Sequence, residues 1–121
     1  MQRPLTSPAP HPPIIDHAAA LLARYTTVLC DVWGVVHNGV TAYESACDAL
    51  PRFRRQGGSV VLITNAPVPE DRVAAMLDER RVPRSSWDAI VSSGDMALAE
   101  VGRRGLRELH QIVPADRRQV V

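Results

Sequence analysis

Three short apolar runs, Val28–Cys30, Val60–Ile63 and Ala89–Val91, alternate with stretches of helical periodicity along the chain. Continuous apolar runs of this length are typical of strands that are buried on both faces, as in a parallel sheet. They predict strands near 27–31, 59–64 and 88–91, with a helix in each connection. Strands that alternate with helices in this way predict an α/β fold built on a parallel sheet.

Two helices are predicted around the first strand. The stretch from 14 to 25 predicts a short helix that leans on the sheet edge, with Asp16 as its cap and an apolar face of Ala18, Leu21 and Leu22. A second helix follows the first strand and ends at Gly57–Gly58, because glycine commonly terminates a helix. Its apolar face is predicted to comprise Ala46, Ala49, Leu50 and Phe53.

Two more helices follow the second and third strands. Pro69 is favourable at a helix start, so a third helix is predicted from there, ending before Pro83 with Val73, Met76 and Leu77 on one face. Ser92 and Asp95, three residues apart, form a capping-box signature ahead of a fourth helix over 96–101. Arginine pairs end the last three helices, where cations complement the helix dipole, namely 54–55, 80–81 and 103–104.

The two ends of the chain differ in composition from its middle. Residues 1–13 hold five of the ten prolines and almost no large apolar side chain, which predicts a disordered tail. Past residue 104 the pattern decays, and 105–121 are interpreted as an irregular tail, either the start of a further domain or the product of a shifted reading frame. The sequence therefore predicts one folded unit over 14–104.

Charge and cysteine content narrow the classes of function. The formal net charge is only +1, and the arginine pairs are dispersed, so nucleic-acid binding is not expected. Cys30 and Cys47 lack metal-ligand spacing and are interpreted as buried thiols rather than a disulfide. No apolar run reaches the roughly 18 residues of a membrane span, and no signal peptide is recognisable. A cytoplasmic protein is predicted; its oligomeric state is left open.

Polar residues stand where the first two strands end. Asp31 follows the first apolar run, and Thr64 and Asn65 follow the second. Ligands of parallel sheets bind beyond the carboxyl ends of the strands, so these side chains are predicted to meet at one edge of the sheet, well placed to meet a substrate or metal. Alone, Asp31 could equally cap a turn. His37, in a predicted tight loop over Asp31, is either a loop residue or a general acid or base.

These residues resemble a known family. The sequences DVWGVVHNG and LITNAP are similar to the strand-end motifs of the haloacid dehalogenase (HAD) superfamily, most closely its class IIA, NagD-like branch. The resemblance implies a three-layer Rossmann-like core and a Mg²⁺-dependent phosphatase that acts on a small phosphorylated metabolite. It implies Asp31 as the nucleophile, Thr64 and Asn65 as phosphate-binding residues, and the Asp31 carboxylate and Trp33 backbone carbonyl as metal ligands. His37 is the nearest candidate for acid-base work.

The chain departs from that family in two respects. Most members carry a second Asp two residues after the nucleophile, where this chain has Trp33, and an indole cannot transfer the proton. The family's distal acidic pair and cap domain have no recognisable counterpart in this sequence. Its later lysine has none either, because the chain contains no lysine at all. An N-terminal half of the core without its cap is therefore predicted. The alternatives are a catalytically inactive phosphate-binding relic and an unrelated regulatory βαβ binding module.

Overall fold

A three-stranded parallel sheet organises the protein, as the apolar runs predict. The computed structural model describes residues 11–108 and residue 110. The strands are β1 (Thr27–Asp31), β2 (Ser59–Thr64) and β3 (Ala89–Ser92), in the spatial order β1-β2-β3. Both pairs are parallel, with Thr27 opposite Ser59 and Val61 opposite Ala89. The predicted strand positions and the parallel α/β fold are confirmed.

Three helices connect or follow the strands close to where the periodicity predicts them. They are α2 (Glu44–Arg55), α3 (Glu70–Glu79) and α4 (Ser93–Arg104), and a short 3-10 turn, Arg84–Ser86, precedes β3. Arginines occupy the last turns of α2 and α4, and Arg80 is the C-terminal cap of α3, so the predicted arginine pairs do stand at helix ends. The predicted tail at 1–13 lies outside the described residues except for 11–13.

The prediction for the first helix is wrong in length and packing. α1 spans only Ala19–Leu22, its N-cap is Ala18, and it buries no residue. Asp16 lies outside the helix, so it does not cap it. Four residues form a single turn, which is too short to be stable without tertiary contacts. Because no side chain of α1 is buried against the sheet, nothing extends the helix over the whole predicted stretch.

One face of the sheet forms the core. Val60 and Leu62 of β2 are fully buried, with Cys30 of β1 and Ile90 of β3 on the same face. α3 contributes Val73 and Leu77 to this core, and connecting segments contribute the rest, among them Val36 and the almost fully buried Trp87 just before β3. Two predicted face residues are not buried, since Ala49 is exposed and Met76 is 36% exposed. Pro51 is the buried residue of α2 instead.

The opposite face of the sheet leaves apolar side chains in solvent. Leu29 is 66% exposed, Ile63 40% and Val91 39%, one from each strand. Side chains alternate between the two faces of a strand, so these three share the face that the core residues do not. Both cysteines are free thiols, as predicted, with Cys30 buried and Cys47 half-buried. Over the described residues, no helix is long and apolar enough to cross a membrane.

Candidate functional site at the carboxyl edge of the sheet

The candidate site lies where the three parallel strands end. Asp31, the last residue of β1, is opposite Ile63, so Thr64 stands one position further along β2. Thr64 is in turn opposite Ser92, the last residue of β3. The register therefore brings Asp31, Thr64 and Ser92 to the same edge of the sheet on adjacent strands. The predicted shared edge is confirmed, whereas the catalytic roles of these residues stay predictions.

Asp31 is exposed at this edge and its carboxylate is held by the next residue. The backbone N–H of Val32 donates to Oδ1 at 2.7 Å, which fixes the orientation of the carboxyl group. Burial and, second, the Asp31 charge raise the pKa of the Cys30 thiol, so Cys30 remains protonated in the core. Asp31 is therefore the anionic group that the end of β1 presents to solvent.

Thr64 begins a loop that is held by the neighbouring helix. Its side chain is almost fully buried, and its hydroxyl accepts a hydrogen bond from the Ala66 backbone N–H at 3.2 Å. The Gly94 N–H in the first turn of α4 donates to the Ala66 carbonyl at 3.2 Å. A Cβ at Gly94 would lie 2.5 Å from the Val68 backbone, so only glycine permits this approach of α4 to the loop. Asn65 is exposed in the same loop.

The predicted capping box at Ser92 and Asp95 is confirmed for its N-cap half, and the Asp95 carboxylate contacts the Ser92 hydroxyl and α3 rather than the Ser92 backbone N–H. The Ser92 hydroxyl accepts from the Asp95 N–H at 3.0 Å and donates to Asp95 Oδ2 at 2.8 Å. Asp95 Oδ2 also accepts from the Glu70 backbone N–H, at 2.8 Å, in the first turn of α3. One carboxylate therefore joins the N-terminal ends of α3 and α4 beside the edge that carries Thr64.

The segment that follows Asp31 folds into a compact loop, as predicted. The Val32 carbonyl accepts hydrogen bonds from the N–H groups of Val36 at 2.9 Å and His37 at 3.3 Å. The Gly34 N–H donates to the His37 carbonyl at 2.7 Å, and isolated bridges pair His37 with Trp33 and with Ala42. Val36 is fully buried and anchors the loop to the core.

His37 is a structural residue of this loop. Its side chain is 3% exposed, and its Nδ1 accepts a hydrogen bond from the Gly39 N–H at 2.9 Å. An imidazole that accepts at Nδ1 is neutral, with its proton on Nε2. Burial and, second, the Arg80 charge lower the pKa of His37 below its ordinary value. The structure therefore gives His37 a positioning contact, and its predicted acid-base role stays a prediction.

Few oxygen atoms at the carboxyl edge of the sheet are suited to bind a hard cation such as Mg²⁺. Asp31 supplies a carboxylate, and the Trp33 carbonyl takes no part in the backbone hydrogen bonds of the loop between residues 32 and 43. Oxygen donors of these two kinds suit Mg²⁺, which often retains several waters and needs few protein ligands. Within the described residues, His, Cys, Asp and Glu do not gather into a group of three or more that could hold a metal. The donor types fit magnesium, but they form an incomplete set.

Arg80 contacts the loop that follows Asp31, a role that the sequence did not indicate. Its guanidinium donates from Nε and Nη2 to the Gly39 carbonyl, at 3.1 and 2.9 Å, and from Nη1 to the Met76 carbonyl at 2.6 Å. It thus ties the end of α3 to the loop over Asp31. In the sequence, Arg80 is only one of a charged pair at a helix end, and the 41-residue separation from Gly39 leaves no local signal.

Comparisons with known proteins agree with this geometry. The family described as haloacid dehalogenase-like hydrolase matches residues 28–114. A solved crystal structure of a hydrolase of the haloacid dehalogenase-like family from Brucella suis is similar, with 38% sequence identity and a TM-score of 0.70. The alignment covers 74% of this chain and 33% of that hydrolase, so the chain spans about one third of its length. No curated protein is similar enough to this chain to match.

Proposed function

The chain belongs to the haloacid dehalogenase-like hydrolase family, and on that premise we propose that it is the N-terminal part of a phosphatase core of the class IIA, NagD-like branch. The proposed substrate is a small phosphorylated metabolite, and the proposed compartment is the cytoplasm. The observation that carries the proposal is the parallel register, which brings Asp31 and Thr64 to the same edge of the sheet. An exposed, oriented carboxylate at the sheet edge that also carries a threonine hydroxyl supports attack on a phosphoryl group.

Asp31 is the proposed nucleophile. Its Oδ2 forms a bond to phosphorus while the bond from phosphorus to the leaving-group oxygen breaks; the leaving oxygen takes up a proton from solvent and departs as the alcohol, which leaves an aspartyl phosphate. Water then attacks that phosphorus, the bond from phosphorus to Oδ2 breaks, and the water gives up a proton to solvent, so that inorganic phosphate is released and the carboxylate is regenerated. The Val32 N–H on Oδ1 holds the carboxyl group in one orientation, so the other oxygen is available to attack.

Thr64 and Asn65 are the proposed phosphate ligands. The loop that they begin is fixed by the Gly94 hydrogen bond and by the Asp95 contacts to α3, so donors near the strand end are oriented before substrate arrives. The Asp31 carboxylate and the Trp33 carbonyl would hold Mg²⁺. When bound, that ion would supply positive charge to neutralise the phosphoryl oxygens.

The described residues do not complete this site. Attack by an anion on a phosphoryl group needs more positive charge than one metal with two protein ligands provides, and the chain contains no lysine. The chain spans one third of the Brucella suis hydrolase, which supports the proposal that the remaining catalytic groups and the cap domain belong to chain beyond these 121 residues. We therefore expect the 121-residue protein alone to lack phosphatase activity.

A second candidate is a protein that binds phosphate without hydrolysing it. Trp33 favours this candidate, because it replaces the acid that would protonate the leaving group. Loss of a general acid typically costs about 100- to 10,000-fold in rate. Turnover in the full-length protein that carries this sequence separates the two candidates, since the binding protein would retain affinity for phosphate and release no alcohol.

The test is a phosphatase assay with Mg²⁺ on the full-length protein that carries this sequence, beside the 121-residue chain. We expect turnover by the full-length protein, its loss in Asp31→Asn, and a large decrease in Thr64→Ala. Asp48→Asn is the matched control, because it removes an exposed carboxylate on α2 far along the chain from the site. Activity that is indifferent to Asp31→Asn would remove Asp31 from the mechanism. Robust activity of the 121-residue chain would contradict the incomplete site.

A further inference from the structure

Trp33 is largely exposed to solvent, although its ring also packs against the loop around it. Its side chain is 62% exposed, although the indole is one of the largest apolar groups in the protein. The only other tryptophan, Trp87, is 2% exposed in the core. Single exposed apolar side chains are common on protein surfaces, so exposure alone indicates nothing. What distinguishes Trp33 is that the surrounding loop holds its indole in one position.

Gly39 forms the support on which the indole rests. A Cβ at Gly39 would lie 2.4 Å from Cη2 and 2.9 Å from Cζ3 of Trp33, so the six-membered ring lies directly on the glycine backbone. Gly39 also has a φ of +95°, a conformation that favours glycine. Any other residue at this position would both strain the loop and displace the ring.

Gly39 is held in place by hydrogen bonds to two other residues. The Gly39 N–H donates to His37 Nδ1, and the Gly39 carbonyl accepts two hydrogen bonds from Arg80. The His37 ring also meets the indole edge-on, with centroids 5.5 Å apart and planes at 78°. Such edge-to-face pairs favour one mutual orientation. A glycine, a buried histidine and a distant arginine of this loop region therefore hold an indole that remains 62% exposed.

The exposed indole belongs to a residue that closely follows the proposed nucleophile in the chain. Trp33 is two residues from Asp31, so their Cα atoms are at most about 7 Å apart. Asp31 and Trp33 are exposed and Val32 between them is buried, which is the alternation of an extended chain and directs both side chains to the same side. A phosphate ester attacked by Asp31 therefore carries its leaving group within reach of this ring.

We propose that the exposed face of Trp33 is a stacking platform for the leaving group, and that the substrate is a phosphate monoester with a planar aromatic leaving group. This inference rests on the proposed function, because it uses Asp31 to locate the phosphate. The position that holds an acid in related enzymes here holds a flat apolar surface. An aromatic leaving group matches that surface, and it also departs as a stabilised phenolate-type anion that depends less on a general acid.

The experiment measures binding of two esters to the 121-residue chain in the presence of Mg²⁺. Phenyl phosphate and glycerol 2-phosphate carry the same phosphate group and differ in the planar ring. Binding is followed by quenching of indole emission with iodide, which reaches the exposed Trp33 and not the buried Trp87, and by ³¹P NMR. We expect phenyl phosphate to bind about tenfold more tightly, a difference of about 1.4 kcal/mol, because its ring can stack on the indole.

Variants assign that preference to the ring. Trp33→Ala should abolish the preference for phenyl phosphate over glycerol 2-phosphate, and Trp33→Phe should retain part of it; these two variants are compared by ³¹P NMR. Val35→Ala is the matched control, because it removes an exposed apolar side chain from the same loop and should change nothing. A preference that survives Trp33→Ala, or no preference in the wild type, would overturn the platform.

Two further variants separate this inference from the proposed function. Phosphate binding that is lost in Thr64→Ala but shows no ring preference would overturn the platform and leave the phosphatase proposal standing. A ring preference that depends on Trp33 but is indifferent to Thr64→Ala and Asp31→Asn would overturn the phosphatase site, and with it the assignment of the ring to a leaving group. If neither ester binds the 121-residue chain, whose site is incomplete, the same comparison is made by ³¹P NMR on the full-length protein that carries this sequence, where equal affinity for the two esters would overturn the platform.

Discussion

At the scale of single residues, Gly39 is constrained both by its backbone conformation and by the Trp33 ring that packs against it. We expect Gly39→Ala to lower the free energy of unfolding by about 2 kcal/mol or more, because a left-handed non-glycine residue and a displaced side chain both cost energy. Urea denaturation measures this. Gly57→Ala is the matched control: Gly57 has a φ of +90° but nothing within 4 Å of its Cβ position, so it reports the backbone strain alone, about 1 kcal/mol.

The contribution of the Trp33 contact is isolated by a double variant. If the indole on Gly39 causes the additional loss, Gly39→Ala should cost less free energy of unfolding in a Trp33→Ala background than in the wild type. The cost that remains should be that of backbone strain alone, as measured by Gly57→Ala. Equal destabilisation by Gly39→Ala and Gly57→Ala would contradict the supporting role of Gly39.

His37 makes stability depend on pH in a stated direction. Burial and the Arg80 charge lower the pKa of folded His37 below its ordinary value of 6.5, so the unfolded chain binds the proton more readily. The His37 contribution is complete above pH 6.5 and is lost as the pH falls toward the folded pKa. We expect the melting temperature to decrease between pH 7 and 5, and this decrease to be smaller in His37→Asn, which keeps an acceptor for the Gly39 N–H. An identical pH profile in both proteins would contradict the neutral, buried His37.

At the scale of secondary-structure elements, Asp88 links a helix and two strands at the edge opposite the site. Its Oδ2 accepts from the Val60 N–H at 2.7 Å, and its Oδ1 pairs with the Arg54 guanidinium. Arg54 also donates to the Ser85 carbonyl at 2.7 Å, so α2 is tied to the segment before β3. The Arg54 hydrogen bond and, second, the Val60 N–H lower the pKa of Asp88.

This link predicts a second pH dependence, at acid pH. A carboxylate with a lowered folded pKa stabilises the protein above its unfolded pKa of 3.8, and this stabilisation is lost as the pH falls through the folded value. Asp88→Asn should therefore lower the melting temperature at pH 7, with the difference vanishing at low pH. Asp48→Asn is the control, because the exposed Asp48–Arg52 pair should contribute at most about 0.5 kcal/mol. A pH-independent deficit in Asp88→Asn would show that its charge is not what matters.

At the scale of the whole molecule, the exposed face of the sheet predicts self-association. Leu29, Ile63 and Val91 present apolar surface from three adjacent strands, and such patches favour association. We expect Leu29→Thr, which keeps a residue favourable in strands, to reduce association in sedimentation experiments and to change the free energy of unfolding by no more than about 0.5 kcal/mol.

Leu62→Ala is the comparison variant, because Leu62 lies on the buried face of the same sheet. Leu62 is fully buried, so its truncation should cost about 2–5 kcal/mol and increase association through unfolding. If Leu29→Thr were as destabilising as Leu62→Ala, the exposed face would be a second core rather than an open surface.

The sequence by itself determined the strands, the parallel order of their ends and the capping box at Ser92. These features depend on local signals: apolar runs bounded by polar residues predict strands, and a serine three residues before an acid predicts a helix start. It also placed Asp31 and Thr64 at one edge, because parallel strands joined by helices must end on the same side. The residues of the candidate site were therefore readable before the fold was known.

Only the tertiary structure decided what those residues contact. The pairs Arg54–Asp88, Arg80–Gly39 and Asp95–Glu70 join residues 34, 41 and 25 positions apart, and nothing local in the sequence indicates which residues pair. For the same reason only the structure shows that His37 is a neutral acceptor, that α1 is a single turn, and that Trp33 packs on Gly39 while it remains largely exposed. Each outcome depends on which groups folding brings within about 3–4 Å, and hydrogen bonds and packing act only over that distance.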